Sequence, residues 1–295
     1  MANPSGKRVL KALFATYPHT RAIKEGSLAS DRIAFDFTEV HPVWDGFDAM
    51  VRHRAFDVSE MAAVTYLLCM AYGKPMALLP AAMFGRFQHA HAITTADAGV
   101  RRPQDLEGKR VGVRSVTTTT GAWLRGHLAF DYGVDPDKIH WVTFEEPHVA
   151  ECEDTSERAA KGKTIVDMLL AGELDAVLGE TSQDPRVRTL FPDPQAEAQR
   201  WYAKHKIVPI NHLMVVDTDL LSKEPETVRE VWRLLKAGKH APPLLAPGAP
   251  DTIPFGIEAC RPGLEMIADY AYRLRLVPKR YTAEEMFAPV KGLVD

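Results

Sequence analysis

A hydroxyl-rich segment at 115–120 is the strongest candidate in the sequence for binding an anion. It contains one serine and four consecutive threonines, directly before a helix predicted to begin at Gly121. Hydroxyl groups and the free backbone N–H groups of a helix N-terminus suit a carboxylate. The alternative is that these hydroxyls only cap the helix and face solvent. The candidate ligands are Ser115, Thr118 and Thr119, and Thr119 is preferred.

Three arginines could hold carboxylates, because a guanidinium offers paired donors in a fixed geometry. They are Arg86, Arg114 and Arg125. Each could instead form a structural ion pair, and Arg125 lies one turn inside the predicted helix, where it could pair on the helix surface. The residue types alone leave both roles open.

His89 and His91 are separated by one residue, which on a strand would place both imidazoles on the same face. Such a pair can bind a metal, but a site needs further ligands, for which His212 and Glu60 are candidates. The alternatives are a general acid/base histidine or an ordinary strand residue.

Glu60 closely follows a short predicted strand at 56–58. Ligands of open α/β sheets bind at the carboxyl ends of strands, which would make Glu60 a site residue. It could equally be an acid in the first turn of the next helix, where the helix dipole favours a negative charge. The sequence leaves these two interpretations open.

The elements that must position these residues alternate between strands and helices. This alternation predicts an α/β fold with mostly parallel sheets. Apolar runs and period-two patterns predict strands at 9–15, 33–40, 56–58, 75–79, 110–113, 139–144, 174–178 and 210–216. Helical periodicity predicts helices at 44–53, 61–72, from 121 onwards, and at 164–170, 226–237 and 264–274, with a capping-box pattern at 282–285.

Length and composition exclude several classes of protein. The 295 residues suggest two domains, and 46% hydrophobic with 25% charged residues argues against disorder. The 36 basic and 39 acidic residues give a net charge of −3, so nucleic acid and membrane surfaces are not expected partners. The three cysteines are scattered, no apolar run could span a bilayer, and the first residues do not resemble a secretory signal. We therefore expect a cytoplasmic protein.

Several stretches resemble the 4,5-dihydroxyphthalate decarboxylase family, whose members are cytoplasmic enzymes built on the type II periplasmic-binding-protein fold. The segments at 103–113 and 164–178 resemble the lobe-entry motif and the helix–turn–strand of that fold. The family resemblance runs in order along most of the chain, at 123–126, 132–134, 139–142, 190–193, 209–212, 254–257 with Arg261, and 284–287.

The resemblance implies a fold of two lobes, each a mixed sheet flanked by helices, joined by two hinge strands. Lobe 1 would be discontinuous and comprise 1–93 and 213–295, and lobe 2 would comprise 94–212. The two crossings would lie near 91–95 and 210–215. A small ligand would be held between the lobes, which would close around it.

The same resemblance implies non-oxidative decarboxylation of a hydroxylated, phthalate-like aromatic carboxylate in the degradation of aromatic compounds. His89 and His212 would be the acid/base pair that protonates the ring carbon, with Glu60 supporting one of them. The substrate would be held by Arg86, Ser115, Thr118, Thr119 and Arg125. Which histidine is acid and which is base stays open, as does the ring substitution of the substrate.

No organic cofactor is implied by this chemistry, and a divalent metal is left open. The expected partner is the small aromatic carboxylate itself, and a homodimer or larger homo-oligomer is also left open. Two alternative functions use the same fold. One is a solute-binding protein for a small carboxylate, and the other is a different lyase, such as a chorismate dehydratase.

Overall fold

The computed structural model describes residues 6–240 and 248–294. The chain forms two compact units. Unit 1 comprises Met1–Gly85, Ile210–Glu265 and Tyr281–Asp295, and unit 2 comprises Arg86–Pro209 and Met266–Arg280.

The secondary structure confirms the alternation of strands and helices. The described strands are β1 (Arg8–Leu13), β2 (Ile33–Phe37), β3 (Val58–Ala62), β4 (Met76–Gly85), β5 (Ala92–Thr95), β6 (Arg110–Val113), β7 (His140–Thr143), β8 (Glu157–Arg158), β9 (Ala176–Leu178), β10 (Val187–Thr189) and β11 (Ile210–Asp217). The described α-helices are α1 (Arg21–Lys24), α2 (Phe47–His53), α3 (Ala63–Ala71), α4 (Thr119–Phe130), α5 (Ile165–Leu170), α6 (Pro194–His205), α7 (Thr218–Lys223), α8 (Pro225–His240), α9 (Ile257–Arg273) and α10 (Ala283–Phe287).

Unit 1 contains a five-stranded mixed sheet in the order β2-β1-β3-β11-β4. β1 runs parallel to β2 and β3, whereas β11 runs antiparallel to β3 and β4. Every residue of β3 and of β11 is buried, as expected for central strands covered on both faces. Because β1 and β3 are parallel, the segment that follows β1 lies beside the carboxyl end of β3.

Unit 2 contains a six-stranded mixed sheet in the order β10-β5-β9-β6-β7-β8. Successive side chains of a strand point to opposite faces of the sheet, so each face of this sheet has its own hydrophobic core. In β9, Ala176 and Leu178 belong to one cluster with Leu124 of α4, while Val177 belongs to the other with Met168 of α5. Both faces of this sheet are therefore covered by helices.

The division into units differs in places from the predicted lobes. Residues 86–93 belong to unit 2, because β4 pairs with β11 only as far as Gly85. Residues 210–212 belong to unit 1, because they are the first residues of β11. Residues 266–280 belong to unit 2, since α9 contributes residues to both units. Within the described ranges the chain thus passes between the units four times, where two crossings were predicted.

The predicted capping-box pattern at 282–285 is confirmed. Thr282 and Glu285 form the predicted capping box, with each side chain accepting a hydrogen bond from the other residue's backbone N–H. Gly172 has a φ of 73°, in the left-handed region where a glycine is favoured. Among the helices of 6–240 and 248–294, none is long and apolar enough to cross a membrane.

Candidate active site

Glu60 is a buried carboxylate in the middle of β3. The predicted strand at 56–58 in fact extends to Ala62, and the following helix begins at Ala63, so Glu60 is not a residue of a helical first turn. Its exposed fraction is 0%. It accepts hydrogen bonds from the Ala15 backbone N–H (3.0 Å) and from the Tyr17 hydroxyl (2.7 Å). A buried carboxylate is stable only with such partners.

The register of β3 against β11 brings Glu60 and His212 together, although they lie 152 residues apart in the chain. Glu60 is opposite Met214, and His212 is opposite Ala62. Since alternate residues share a face, Glu60 and His212 are diagonal neighbours on one face of the sheet. His212 Nδ1 lies 2.6 Å from Glu60 Oε1.

The Glu60 carboxylate determines which nitrogen of His212 carries a proton. An ionised carboxylate only accepts hydrogen bonds, so Nδ1 is the donor and Nε2 is the nitrogen that can exchange protons. Within residues 6–240 and 248–294, Nε2 makes no hydrogen bond. The ring packs against Phe47 and Phe84, at centroid distances of 5.2 and 5.6 Å, and 8% of the residue is exposed.

His212 also lies at an irregularity in the pairing of β11 with β4. The register shifts on both sides of it, between Ile210 and His212 and between His212 and Leu213. Bulges of this kind redirect side chains and are frequent beside active sites. The local backbone therefore sets the direction of this imidazole.

Tyr17 is a site residue that the sequence analysis did not identify. Thr20 shapes this loop, because its hydroxyl donates to the Ala15 carbonyl (2.8 Å) and accepts from the Tyr17 N–H (2.7 Å). Burial and the adjacent Glu60 charge raise the pKa of Tyr17, so its hydroxyl stays protonated and donates. The available signal was its position just after the first strand of a parallel pair.

His19 extends the site by stacking on Tyr17. The two rings are parallel, with centroids 5.2 Å apart. The Phe84 ring also stacks on Tyr17, at a centroid distance of 6.2 Å. Burial, together with the positive charge of Lys239, lowers the pKa of His19 to about 4. This imidazole is therefore neutral near pH 7.

In unit 2, the hydroxyl-rich segment forms a tight turn before α4. Ser115 Oγ lies 3.1 Å from Thr117 Oγ1, and Thr118 donates its hydroxyl to the Ser115 carbonyl at 3.0 Å. α4 begins at Thr119, two residues earlier than predicted, and the Thr118 side chain at its N-cap does not cap the helix. Ser115, Thr117 and Thr119 are buried, so they are not solvated threonines.

Arg86 lies next to this segment. Its Nη2 donates to the Thr120 hydroxyl at 3.4 Å, so the arginine contacts the 115–120 segment, although Thr120 is not one of the three predicted substrate ligands. Burial lowers the pKa of Arg86, while the nearby Glu180 opposes that shift. Arg114, in contrast, forms a two-point ion pair with Glu145, with both distances 2.9 Å.

Arg125 is on the other side of the same turn from these hydroxyls. It donates through Nη1 to the Val116 carbonyl at 3.2 Å, and its guanidinium packs 4.9 Å from the centre of the Trp141 ring. The cavity that it lines includes Val116 but none of Ser115, Thr118 or Thr119. Arg125 is thus separate from the other proposed substrate-binding residues of unit 2.

His89 is fully buried in the core of unit 2, and no carboxylate of residues 6–240 and 248–294 forms a hydrogen bond with it. The predicted strand geometry for His89 and His91 is wrong, because the two residues form a single 3-10 turn and β5 begins only at Ala92. The His89 ring stacks on His127 with centroids 5.1 Å apart, and neither ring nitrogen of His89 makes a hydrogen bond. Burial lowers its pKa to about 4.

The structure therefore brings together Glu60 and His212, with Tyr17, in unit 1, and Arg86 with the 115–120 turn in unit 2. It does not bring His89 into either group, and Arg125 contacts the 115–120 turn only through the Val116 carbonyl. Across 6–240 and 248–294, no group of three or more His, Cys, Asp or Glu side chains is arranged to hold a metal ion.

Comparison with known proteins agrees with this architecture. The alkanesulfonate-binding protein SsuA from Xanthomonas axonopodis pv. citri, bound to MOPS, superimposes with a TM-score of 0.57 at 15% identity, covering 96% of this chain and 98% of that one. The likeness confirms the predicted periplasmic-binding-protein-like fold with two mixed sheets flanked by helices.

The sequence comparisons identify the family. Residues 58–241 match the family model described as NMT1/THI5 like. The chain is 31% identical to the 4,5-dihydroxyphthalate decarboxylase of Comamonas testosteroni, over 80% of this chain and 75% of the relative. It is 30% identical to the 4,5-dihydroxyphthalate decarboxylase of Pseudomonas putida, over 65% of this chain and 81% of the relative. The chain therefore belongs to the NMT1/THI5-like family and to the 4,5-dihydroxyphthalate decarboxylase family, as the sequence resemblance predicted.

Proposed function

We propose that this protein is a carboxy-lyase that removes CO2 from a dihydroxylated phthalate, with 4,5-dihydroxyphthalate as the first substrate to test. The observation that carries the proposal is the array of Tyr17, Glu60 and His212 in unit 1, where a buried carboxylate orients an imidazole whose second nitrogen has no hydrogen bond. The names of the two relatives supply the substrate class.

The reaction needs a proton on the ring carbon that loses its carboxylate. In 4,5-dihydroxyphthalate each carboxylate has a hydroxyl para to it, and loss of the phenolic proton pushes electron density onto the carboxyl-bearing carbon. That carbon takes a proton, the ring loses its aromaticity, and the C–C bond electrons then restore the ring as CO2 leaves. The products are 3,4-dihydroxybenzoate and CO2. The reaction consumes one proton and needs no external oxidant or reductant.

His212 is the proposed acid/base group, because Nε2 can accept a phenolic proton or deliver one to carbon. Glu60 holds Nδ1–H and would stabilise the imidazolium when the ring is protonated. Tyr17 would orient Glu60 rather than touch the reacting atoms, and it is thus a positioning residue. His89 is left out of this mechanism because its ring is buried in the core of unit 2.

For the substrate carboxylates we propose Arg86 and the hydroxyls of Ser115, Thr118 and Thr119. The supporting observations are the contact of Arg86 with Thr120 and the start of α4, a helix of 12 residues, at Thr119. Cations and a helix N-terminus both favour bound anions. We further propose that no organic cofactor or metal takes part and that the protein works in the cytoplasm, a setting compatible with its three free cysteines.

The test is an assay of the purified protein with 4,5-dihydroxyphthalate in D2O containing EDTA. We expect stoichiometric CO2 and 3,4-dihydroxybenzoate that carries one deuterium at the ring position that lost its carboxylate. CO2 release that disappears with EDTA and returns with a divalent metal would refute the metal-free part. Tight binding of the dicarboxylate without any CO2 would instead support a solute-binding function.

A further inference from the structure

Arg125 is a buried cation without an ion-pair partner. It is 8% exposed. Within residues 6–240 and 248–294 its only hydrogen bond is the one from Nη1 to the Val116 carbonyl, and its Nε is buried without a partner. No carboxylate in that part of the chain lies within the 4.0 Å of an ion pair. A guanidinium has five N–H donors, so most of its hydrogen-bonding capacity is unused.

This arrangement is energetically unfavourable unless an anion is present. Burial lowers the pKa of Arg125 to about 10, which still leaves the side chain charged near pH 7. Charged groups taken out of water normally have a paired opposite charge, because burial removes their hydration without replacing it. The face-on contact with Trp141 compensates only part of such a cost.

Asp154 and Asp137, whose charges act on Arg125, are already engaged with other groups. Asp154 accepts hydrogen bonds from the Thr143 hydroxyl (2.9 Å) and the Ser156 N–H (2.9 Å), and it also pairs with Arg158. Asp137 pairs with Arg275. The anion that Arg125 lacks is therefore not supplied by these two side chains.

Arg125 lines a cavity of about 370 Å³ in unit 2, near the lower end of the range for small-molecule sites. The cavity walls are partly apolar, with Val116, Ile139, Leu274 and Leu276 among their residues. Acidic residues also line it, and Glu153 and Asp137 would repel a second negative charge on a ligand. Arg273 and Arg275 also line the cavity, but they pair with Asp269 and Asp137. Among the described residues that line the cavity, Arg125 is therefore the cation without an ion pair.

We propose that the Arg125 cavity binds a small monocarboxylate with an apolar body, of the size of benzoate. The guanidinium would take the carboxylate through two parallel hydrogen bonds, and the apolar walls would cover the body. This site shares no residue with the Tyr17–Glu60–His212 array, so the proposal does not depend on the decarboxylase function.

Crystals of the whole protein soaked in 4-bromobenzoate test the proposal without any variant. We expect an anomalous bromine peak inside the cavity, with the carboxylate on the guanidinium of Arg125. The proposal would be overturned by bromine peaks found only outside the cavity. It would also be overturned if no peak appears at a 4-bromobenzoate concentration that saturates binding in solution.

A titration with benzoate, followed by calorimetry, tests the role of Arg125 in solution. Arg125→Gln should weaken binding by about tenfold or more, the usual effect of losing charge-assisted hydrogen bonds. Arg110→Gln removes an ion-paired arginine of the same unit that does not line the cavity, and should leave the affinity unchanged. Unchanged benzoate affinity in Arg125→Gln would contradict the proposal, as would loss of benzoate binding only in His212→Asn. Displacement of benzoate by sulfate at the same concentration as by another benzoate-sized acid would also contradict it. If Arg125→Gln does not fold, the benzoate affinity of Arg125→Lys and the soak of wild-type crystals test the proposal instead.

Discussion

Two buried histidines, His212 in unit 1 and His127 in unit 2, differ in what surrounds them. His212 has a carboxylate 2.6 Å from one ring nitrogen and a second nitrogen without a hydrogen bond. Within residues 6–240 and 248–294, His127 is 0% exposed, stacks on His89, and has no hydrogen bond at either nitrogen. Asp131 lies 4.0 Å from its Nδ1, beyond hydrogen-bond distance, and is bonded instead to Trp201, Lys204 and His205. An imidazole moves protons only if one nitrogen can reach a ligand and its charged form is stabilised. Burial of a histidine is therefore a weak sign of catalysis unless a carboxylate is hydrogen-bonded to it.

Replacing His212 tests this contrast most strongly. His212→Asn keeps an N–H that can face Glu60 but cannot exchange protons, so kcat should fall by about 10²- to 10⁴-fold. His127→Leu is the matched control, because within the described residues His127 makes no hydrogen bond and does not contact the Glu60–His212 pair. Steady-state decarboxylation rates of both variants provide the measurement. Equal losses in the two variants would show that the comparison is wrong.

Glu60→Gln asks whether the carboxylate matters beyond filling space. The amide keeps the shape but removes the negative charge that would stabilise an imidazolium, so we expect kcat to fall by about tenfold to a hundredfold. KM should change little, because Glu60 is not proposed to touch the substrate. A rise in KM with kcat intact would indicate a binding role for Glu60 instead.

The His89–His127 pair should make stability depend on pH. Burial lowers the pKa of His89 from 6.5 to about 4 and that of His127 well below 6.5, so the unfolded chain binds protons more readily than the folded one. Stability is then full above pH 6.5 and declines as the pH falls towards 4, by roughly 3 kcal/mol for His89.

Urea unfolding between pH 7 and pH 4 measures this decline. His127→Leu should make the dependence shallower, although His19 and His91, whose pKa values are also about 4, keep part of it. If the free energy of unfolding of the wild-type protein does not change over this range, the two histidines are not buried in their neutral form, and the description of the pair is wrong.

The α/β class and the family could be predicted because they depend on local signals spread along the chain. Glu60 could be proposed from its place after a strand, but its strand is longer than the pattern indicated. Its contact with His212 depends on the pairing of β3 with β11, and periodicity does not specify which distant strands pair or in what register.

The misassigned residues have a related physical cause. His89 looked like a strand residue, but the chain makes a 3-10 turn there and directs the ring into the core. Arg125 and Thr119 were predicted to hold the same substrate, and both belong to α4. Six positions along α4 correspond to about 1.7 turns, so their side chains point in different directions. Sequence proximity within a helix does not place two residues in one site.

Tyr17→Phe gives the smallest expected effect and sharpens the account of His212. The substitution removes the 2.7 Å hydrogen bond to Glu60 while keeping the ring that stacks on His19. Losing one hydrogen bond to a buried carboxylate should lower the free energy of unfolding by about 2 kcal/mol. Tyr272→Phe, at an exposed tyrosine, is the control and should change neither stability nor rate.

Kinetics of Tyr17→Phe then separate positioning from catalysis. If Tyr17 only orients Glu60, kcat should fall by a few-fold, much less than in His212→Asn, because the imidazole and its carboxylate both persist. A loss as large as that of His212→Asn would mean that the Tyr17 hydroxyl itself transfers a proton to the substrate. The acid/base pair would then be Tyr17 and His212, with Glu60 bridging them through its two hydrogen bonds on Oε1.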